Sequence, residues 1–310
     1  MATIRIPHPV PSPVEDAQAL MKACKGWGTD EKGVIEVIAY RDATQRKLIR
    51  EAYEELFNEN LIKRLESELS GDFEKAVYRW MFDPAEREAI IANVAIKDND
   101  YRVIIETACI NSAKELLVVK QTYHAINKHS LEEDVASHIT GDFRKLLVAL
   151  VSTYRYDGDE VNIKLAQSEA KVLHDAIKEK IYNHEEIIRI LSTRSKAQLN
   201  ATFNQYKDEY GASITKDLSG EGSNEFASAL RVVVRCIISP KKYFEKLLRS
   251  ATSNRGNEDA LTRVIVTRAE KDLSEIKELY EKRTNMSLDQ AISKETSGDY
   301  KKFLLALLGN

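Results

Sequence analysis

A short loop near the N-terminus has the residue types of a calcium site. Two glycines flank a tryptophan in the sequence Gly26-Trp27-Gly28-Thr29. Glycine adopts positive φ readily, so such a loop can turn several backbone carbonyls to one side. Carbonyl oxygens of Cys24, Gly26 and Gly28 would then face a hard cation, and calcium takes six to eight oxygen ligands, usually including a carboxylate. Because the loop lacks the Asp/Asn ligands and closing Glu of an EF-hand, a distant acidic residue must complete the site.

The elements that must position this loop are repeated along the chain. Four aromatic residues are each preceded, 20 positions earlier, by a tyrosine; the pairs are Tyr53 and Phe73, Tyr123 and Phe143, Tyr206 and Phe226, and Tyr280 and Tyr300. Each of the four aromatics also begins an apolar pattern at i, i+3, i+4, i+7 and i+8, which is the buried face of an amphipathic helix. The spacing predicts four helical repeats of about 70 residues, with an insertion within residues 152–170.

Glycine and proline content supports a helical fold. The 310 residues include 12 Gly and 6 Pro, roughly half the usual share, which excludes most all-β and doubly wound folds because these need turns and bulges. Four prolines lie within the first 13 residues and predict an extended tail, whereas Pro84 and Pro240 each follow a helix-capping residue and predict a helix start. We therefore predict an all-α protein with these segments: a tail at 1–13 and repeats at 14–82, 83–156, 157–239 and 240–310.

Residues 25–41, KGWGTDEKGVIEVIAYR, together with the four repeats resemble the annexin family. The first-loop tryptophan and the segments 130–135 and 190–198 resemble plant annexins in particular. The resemblance extends from Val14 to the C-terminus, and it implies that each repeat holds five helices and that the repeats pack as a slightly curved disc. In that family 38 residues separate the loop threonine from the closing carboxylate, which implies Glu68 as the remaining calcium ligand after Thr29. It also implies a weaker accessory calcium at Glu31.

The motif is lost in the two central repeats. Their glycine positions hold residues that do not suit the loop: Ile96, Asp98, Glu179 and Ile181. Repeat 2 also has His138 at the acid position, and although repeat 3 keeps Glu221, an acid alone does not make a calcium site. We expect neither repeat to bind calcium.

Repeat 4 keeps a damaged copy of the motif. Its loop is one residue short and lacks the threonine, but it offers the backbone of Thr252, Asn254 and Gly256, with Glu295 at the acid position. Asparagine is the best non-glycine residue for the left-handed conformation. Repeat 4 is therefore predicted to form a second, weaker site.

The net charge of the chain limits which partners it can bind by electrostatic attraction alone. With 46 Lys+Arg and 49 Asp+Glu the chain has a net charge of −3, which argues against simple electrostatic binding to nucleic acid or to anionic lipid. The resemblance implies calcium-dependent binding to acidic phospholipid membranes, in which the cation supplies the missing positive charge. Trp27 suits a lipid headgroup interface, or else packs on a neighbouring helix, and Lys25 is placed to contact lipid phosphate.

An enzymatic role has no support in the sequence. We find no nucleophile–base arrangement and no glycine-rich phosphate loop, and Tyr40 stands where plant annexins have the histidine proposed for peroxidase activity. Cys109 and Cys236 match cysteines that plant relatives bring together, although a buried thiol acting as a small hydrophobe explains them as well.

The competing function is a helical-repeat scaffold that binds protein partners with little calcium dependence. Ile188-Arg189-Ile190 resembles a tripeptide suggested for actin binding in plant annexins, but core isoleucines around an exposed arginine would give the same pattern. Self-association on membranes stays open. Because the N-terminus lacks an apolar signal core and no apolar run reaches the ~18 residues of a membrane span, we expect a cytoplasmic protein that associates peripherally with membranes when calcium rises.

Overall fold

The protein is helical throughout the part that the computed structural model describes, residues 1–26, 28–219, 224–253 and 257–310. In these residues the chain forms twenty α-helices, five for each repeat. Repeat 1 contains α1 (Pro13–Ala23), α2 (Glu31–Ile38), α3 (Ala43–Phe57), α4 (Leu61–Glu68) and α5 (Gly71–Met81). Repeat 2 contains α6 (Pro84–Lys97), α7 (Tyr101–Ile110), α8 (Ala113–Asn127), α9 (Leu131–His138) and α10 (Gly141–Ser152).

The second half follows the same order. Repeat 3 contains α11 (Ile163–Lys178), α12 (Glu185–Thr193), α13 (Lys196–Tyr210), α14 (Ile214–Asp217) and α15 (Glu225–Ile238). Repeat 4 contains α16 (Pro240–Ala251), α17 (Glu258–Arg268), α18 (Leu273–Thr284), α19 (Leu288–Glu295) and α20 (Gly298–Leu307). The predicted all-α class with four repeats of five helices is confirmed. None of the helices in the described ranges is both long enough and apolar enough to cross a membrane.

The sequence signals for helix starts act as expected. Pro84 and Pro240 are the first residues of α6 and α16. The first helix begins at Pro13, one residue before the predicted start of repeat 1, because Ser12 caps it in a reciprocal pair with Glu15. The insertion of repeat 3 is the connection between α10 and α11, which has no helix. The exact repeat boundaries remain predictions.

The apolar patterns are the cores of the repeats. In α5 the predicted face is buried: Phe73, Ala76, Val77, Trp80 and Met81. The tyrosine that precedes each aromatic lies in the third helix of its repeat, and all four tyrosines are buried. The repeated spacing therefore reflects one packing scheme used four times.

The helices group into two compact units. The first consists of residues 1–87 and 244–310, and therefore holds repeat 1 and nearly all of repeat 4; the second consists of residues 88–243. Within the first unit, α5 packs against α17 and α20, and the rings of Phe73 and Phe303 meet edge to face at 5.8 Å between centroids. The loop of repeat 1 and the acid of repeat 4 thus belong to one unit.

Candidate metal site

The loop that connects α1 to α2 is closed by hydrogen bonds at its base. The backbone N–H of Asp30 donates to the carbonyl of Ala23, the last residue of α1, at 2.9 Å. The Asp30 side chain then caps α2 by accepting from the Gly33 N–H at 3.0 Å. The two ends of the connection are therefore held at the end of α1 and the start of α2.

Both loop glycines adopt the positive φ that the sequence predicts. The φ angles are +119° at Gly26 and +87° at Gly28. A β-carbon added to either residue would meet no other atom within 4 Å. Backbone conformation, and not lack of space, is therefore what requires glycine here.

Replacing Gly28 with alanine should weaken calcium binding at this loop by about five- to thirtyfold, because the left-handed conformation costs an L-residue roughly 1–2 kcal/mol. A calcium titration by calorimetry would measure the change. Gly211→Ala is the matched control, since Gly211 has a φ of +74° and open space around it but caps α13 in the second unit. Equal losses of calcium affinity in the two variants would contradict the role of Gly28.

The predicted acid, Glu68, lies beside the loop. It is the last residue of α4, and its side chain is 21% exposed. The hydroxyl of Thr29 donates to the Glu68 carboxylate at 2.7 Å. The threonine of the motif therefore orients the carboxylate toward the loop, a role that the sequence pattern alone did not reveal.

Sequence reasoning missed Arg64, one turn before Glu68 on α4. A single guanidinium nitrogen, Nη2, lies 2.5 Å from the Cys24 carbonyl oxygen and 3.0 Å from a Glu68 carboxylate oxygen. Two of the predicted ligand oxygens thus converge on one positively charged group. This arrangement fits a cation site made of carbonyl and carboxylate oxygens, the donors that calcium prefers.

The Cys24 side chain does not contribute a charged ligand. Burial raises the pKa of this thiol to about 11, and the nearby Glu68 carboxylate adds to the effect. The thiol therefore stays protonated near neutral pH, and the hard donor at Cys24 is its backbone carbonyl.

Glu31, Glu68 and Glu295 line one open cleft of about 350 Å³ in the first unit. In the described residues no three His, Cys, Asp or Glu side chains are grouped closely enough to hold a metal ion by themselves. The predicted site combines backbone carbonyls with one carboxylate, a donor set that calcium accepts.

The repeat 4 loop is described only at its edges, because Asn254 and Gly256 lie outside the described residues. Thr252 is buried, and its hydroxyl lies 2.7 Å from the Tyr280 hydroxyl. Its side chain therefore has a structural partner, which leaves the backbone carbonyl as the proposed ligand. Glu295 ends α19 as Glu68 ends α4.

The central repeats lack the two glycines at the predicted loop positions. Ile96 lies inside α6 and is buried, and only residues 98–100 connect α6 to α7. The His138 Nδ1 lies 2.9 Å from the Asp134 carbonyl, within its own helix. Repeat 3 has Glu179 as the C-cap of α11, while Glu221 lies outside the described residues. The loss of both sites stays a prediction, and these backbone positions agree with it.

The remaining predicted residues belong to the lipid-contact loop, to the tripeptide of α12 and to the cysteine pair. Lys25 is exposed on the loop, whereas Trp27 lies outside the described residues. In α12, Ile188 and Ile190 are buried and Arg189 pairs with Glu186 at 2.7 Å, so the isoleucines of this tripeptide belong to the core. The side chains of Cys109 and Cys236 are both buried, and neither forms a disulfide bond.

Four repeats of five helices, with a glycine loop and a distant carboxylate in the first repeat, are features that one family of repeat proteins combines. A sequence model of the annexin family matches residues 15–80, 89–150, 168–233 and 243–307. The chain belongs to the annexin family, whose members are known as calcium-dependent phospholipid-binding proteins and are generally not enzymes.

Individual relatives point to the plant branch of the family. The chain is 63% identical to the annexin-like protein RJ4 of Fragaria ananassa over 95% of both chains. It is 53% identical to annexin D7 of Arabidopsis thaliana over 100% of this chain and 99% of that protein. It is therefore a plant-type annexin.

Solved structures agree with this assignment. Chicken annexin V is 35% identical with a TM-score of 0.91, covering 100% of this chain and 99% of that one. Calcium-bound annexin (Sm)1 is 28% identical with a TM-score of 0.80, covering 96% and 90%. Calcium binding is thus established for relatives of this fold.

Proposed function

We propose that this protein binds acidic phospholipid membranes in a calcium-dependent manner, mainly through the loop of repeat 1. The observation that carries the proposal is the convergence of the Cys24 carbonyl and the Glu68 carboxylate on one cationic nitrogen. Oxygen atoms so arranged favour a hard cation.

The proposed ligands are the carbonyl oxygens of Cys24, Gly26 and Gly28 and the carboxylate of Glu68. Bound there, calcium supplies positive charge and open coordination positions for lipid phosphate oxygens. Two observations support this ligand set. Positive φ at both glycines turns the loop backbone, and the Thr29 hydroxyl orients the Glu68 carboxylate through a hydrogen bond of 2.7 Å.

Lipid contact would come from the exposed residues of the same loop. Lys25 is exposed and suited to a lipid phosphate, and Trp27 suits the headgroup interface. Because the chain has a net charge of −3, it gains little from an anionic surface without calcium. We expect peripheral association with cytoplasmic membrane surfaces, followed in some conditions by self-association there.

Weaker sites are proposed at Glu31 and in repeat 4. Glu31 shares the acidic cleft with Glu68, so a second ion would add to the charge on the same face. In repeat 4 the carbonyls of Thr252, Asn254 and Gly256 with Glu295 form the proposed set. The missing threonine leaves Glu295 without the hydrogen bond that Thr29 gives to Glu68.

The direct test is co-sedimentation of the protein with phosphatidylserine–phosphatidylcholine vesicles. We expect most of the protein in the pellet at sub-millimolar calcium, and nearly all in the supernatant with a calcium chelator or with phosphatidylcholine alone. The competing scaffold function predicts the reverse: co-sedimentation with actin filaments in chelator and no response to phosphatidylserine. That outcome would overturn the proposal.

A further inference from the structure

We propose that Arg64 is a built-in competitor of calcium at the repeat 1 loop, so that the loop fills only at a higher calcium concentration than its ligands alone would require. This inference rests on the proposed calcium-binding function of the loop and names a residue that sets its affinity.

The first support is the position of the guanidinium. Its Nη2 contacts both the Cys24 carbonyl and the Glu68 carboxylate, at 2.5 and 3.0 Å, and Nη1 lies 3.8 Å from Glu59. The Arg64 side chain is 29% exposed, so water screens its charge only in part. Calcium and this guanidinium would use the same oxygens and repel each other, which means that calcium must displace it.

The second support comes from comparing the repeats. The residue eleven positions after the buried tyrosine is Asp134 in repeat 2 and Asp217 in repeat 3. These carboxylates accept hydrogen bonds from the hydroxyls of Tyr123 and Tyr206, at 2.6 and 2.8 Å. Repeat 4 has Ala291 at this position, which neither accepts a hydrogen bond nor carries a charge.

Repeat 1 reverses the charge at this position. Because Arg64 cannot accept a hydrogen bond, the Tyr53 hydroxyl makes longer contacts, at 3.4 Å with a Glu59 carboxylate oxygen and at 3.8 Å with the Met21 sulfur. The buried Nε of Arg64 also has no hydrogen-bond partner among the described residues. A hydrogen bond with the buried tyrosine, the role of aspartate in repeats 2 and 3, therefore does not explain the arginine. Its guanidinium lies at the calcium loop instead, in the repeat whose sequence keeps both glycines and the threonine of the motif.

This placement gives Arg64 two effects on the loop. Without calcium it neutralises Glu68 and holds the Cys24 carbonyl, so the ligand oxygens stay gathered. When calcium binds, the guanidinium must leave both oxygens, and the exchange lowers the apparent affinity. The released guanidinium then lies on the loop side of α4.

The test is Arg64→Gln, measured by calcium titration calorimetry on the protein without vesicles. We expect the calcium Kd to fall about tenfold, since a unit positive charge in contact with the ligands is removed. The calcium midpoint for phosphatidylserine vesicle binding should fall by a similar factor. Lys63→Gln is the matched control because Lys63 is exposed, adjacent on α4 and carries the same charge. Its calcium Kd should not change.

An unchanged or weaker calcium affinity in folded Arg64→Gln would overturn the inference. Arg64→Lys provides a second measurement, because it keeps the charge but not the guanidinium fork; a gain in affinity smaller than that of Arg64→Gln is expected, and an equal gain would contradict competition by charge. Glu68→Gln in both backgrounds separates the two proposals. If Glu68→Gln removes calcium binding but Arg64→Gln has no effect, the site stands and the competitor does not. If Glu68→Gln has no effect, the proposed calcium site of the repeat 1 loop fails, and the inference about Arg64 fails with it.

Discussion

Glu68→Gln is expected to abolish most calcium-dependent sedimentation with phosphatidylserine vesicles at sub-millimolar calcium. The substitution removes the negative charge from the only carboxylate that closes the repeat 1 loop among the described residues, and calcium affinity depends strongly on ligand charge. We expect the calcium Kd to rise on the order of 100-fold. In the wild-type protein the Thr29 hydroxyl donates to the Glu68 carboxylate at 2.7 Å. The amide oxygen of glutamine can accept the same hydrogen bond, so the fold should be unchanged.

The matched control for this prediction is Glu66→Gln. Glu66 lies two residues earlier on α4 and is exposed. Glu66→Gln therefore has the same net charge as Glu68→Gln but keeps the proposed calcium ligand Glu68. Wild-type sedimentation is expected for it. Full binding by Glu68→Gln at the same calcium concentration would exclude repeat 1 as the main site. Binding that remains only at higher calcium, and disappears in the double variant with Glu295→Gln, would belong to repeat 4.

The repeated helical fold could be predicted because its signals are local. Helical spacing of apolar residues identifies a buried face without any knowledge of its partner, as for Phe73, Val77 and Trp80 in α5. Proline after a capping residue fixes a helix start, as at Pro84 and Pro240. Four copies of one pattern also make a chance match improbable. The family resemblance added the number of helices in each repeat, five, which the local patterns did not supply.

The contact between Arg64 and the Cys24 carbonyl could not be predicted, because the two residues are far apart in sequence. Lys63-Arg64 in a short amphipathic helix is typical of a solvated face. Only the fold brings the Cys24 carbonyl, 40 residues away, to the guanidinium. One signal was available before the structure: the internal alignment puts Arg64 where repeats 2 and 3 have aspartate. A charge reversal at an aligned position indicates that the residue has a different role in that repeat.

Thr29 shows a similar limit. The motif includes the threonine, but the pattern does not say whether it binds the ion or orients another ligand. The hydrogen bond to Glu68 favours the second role.

The motif also did not predict the ion pair between Asp16 and Arg41, because aspartate residues are mostly exposed in folded proteins.

Asp16→Asn is expected to destabilise the first unit by about 3–5 kcal/mol, the usual effect of breaking a buried ion pair. Asp16 and Arg41 form two parallel contacts of 2.6 and 2.7 Å, and both side chains are about 5% exposed or less. An asparagine would leave the Arg41 guanidinium buried and uncompensated. Urea unfolding followed by circular dichroism measures the change. Glu36→Gln, in the exposed pair Lys32–Glu36, should change stability by less than about 0.5 kcal/mol.

The same variant tests whether the ion pair also positions the calcium loop. Asp16 lies in α1 and Arg41 lies just after α2, so their pair joins the two helices between which the loop is held. Repeat 3 has an equivalent pair, Glu169 and Arg194 at 2.7 Å, also with a buried carboxylate, but without the glycine loop. Glu169→Gln should therefore destabilise the second unit and leave calcium affinity unchanged, whereas Asp16→Asn should lower both stability and calcium affinity. A loss of calcium affinity in both variants, or in neither, would mean that the pair stabilises its repeat without setting the geometry of the loop.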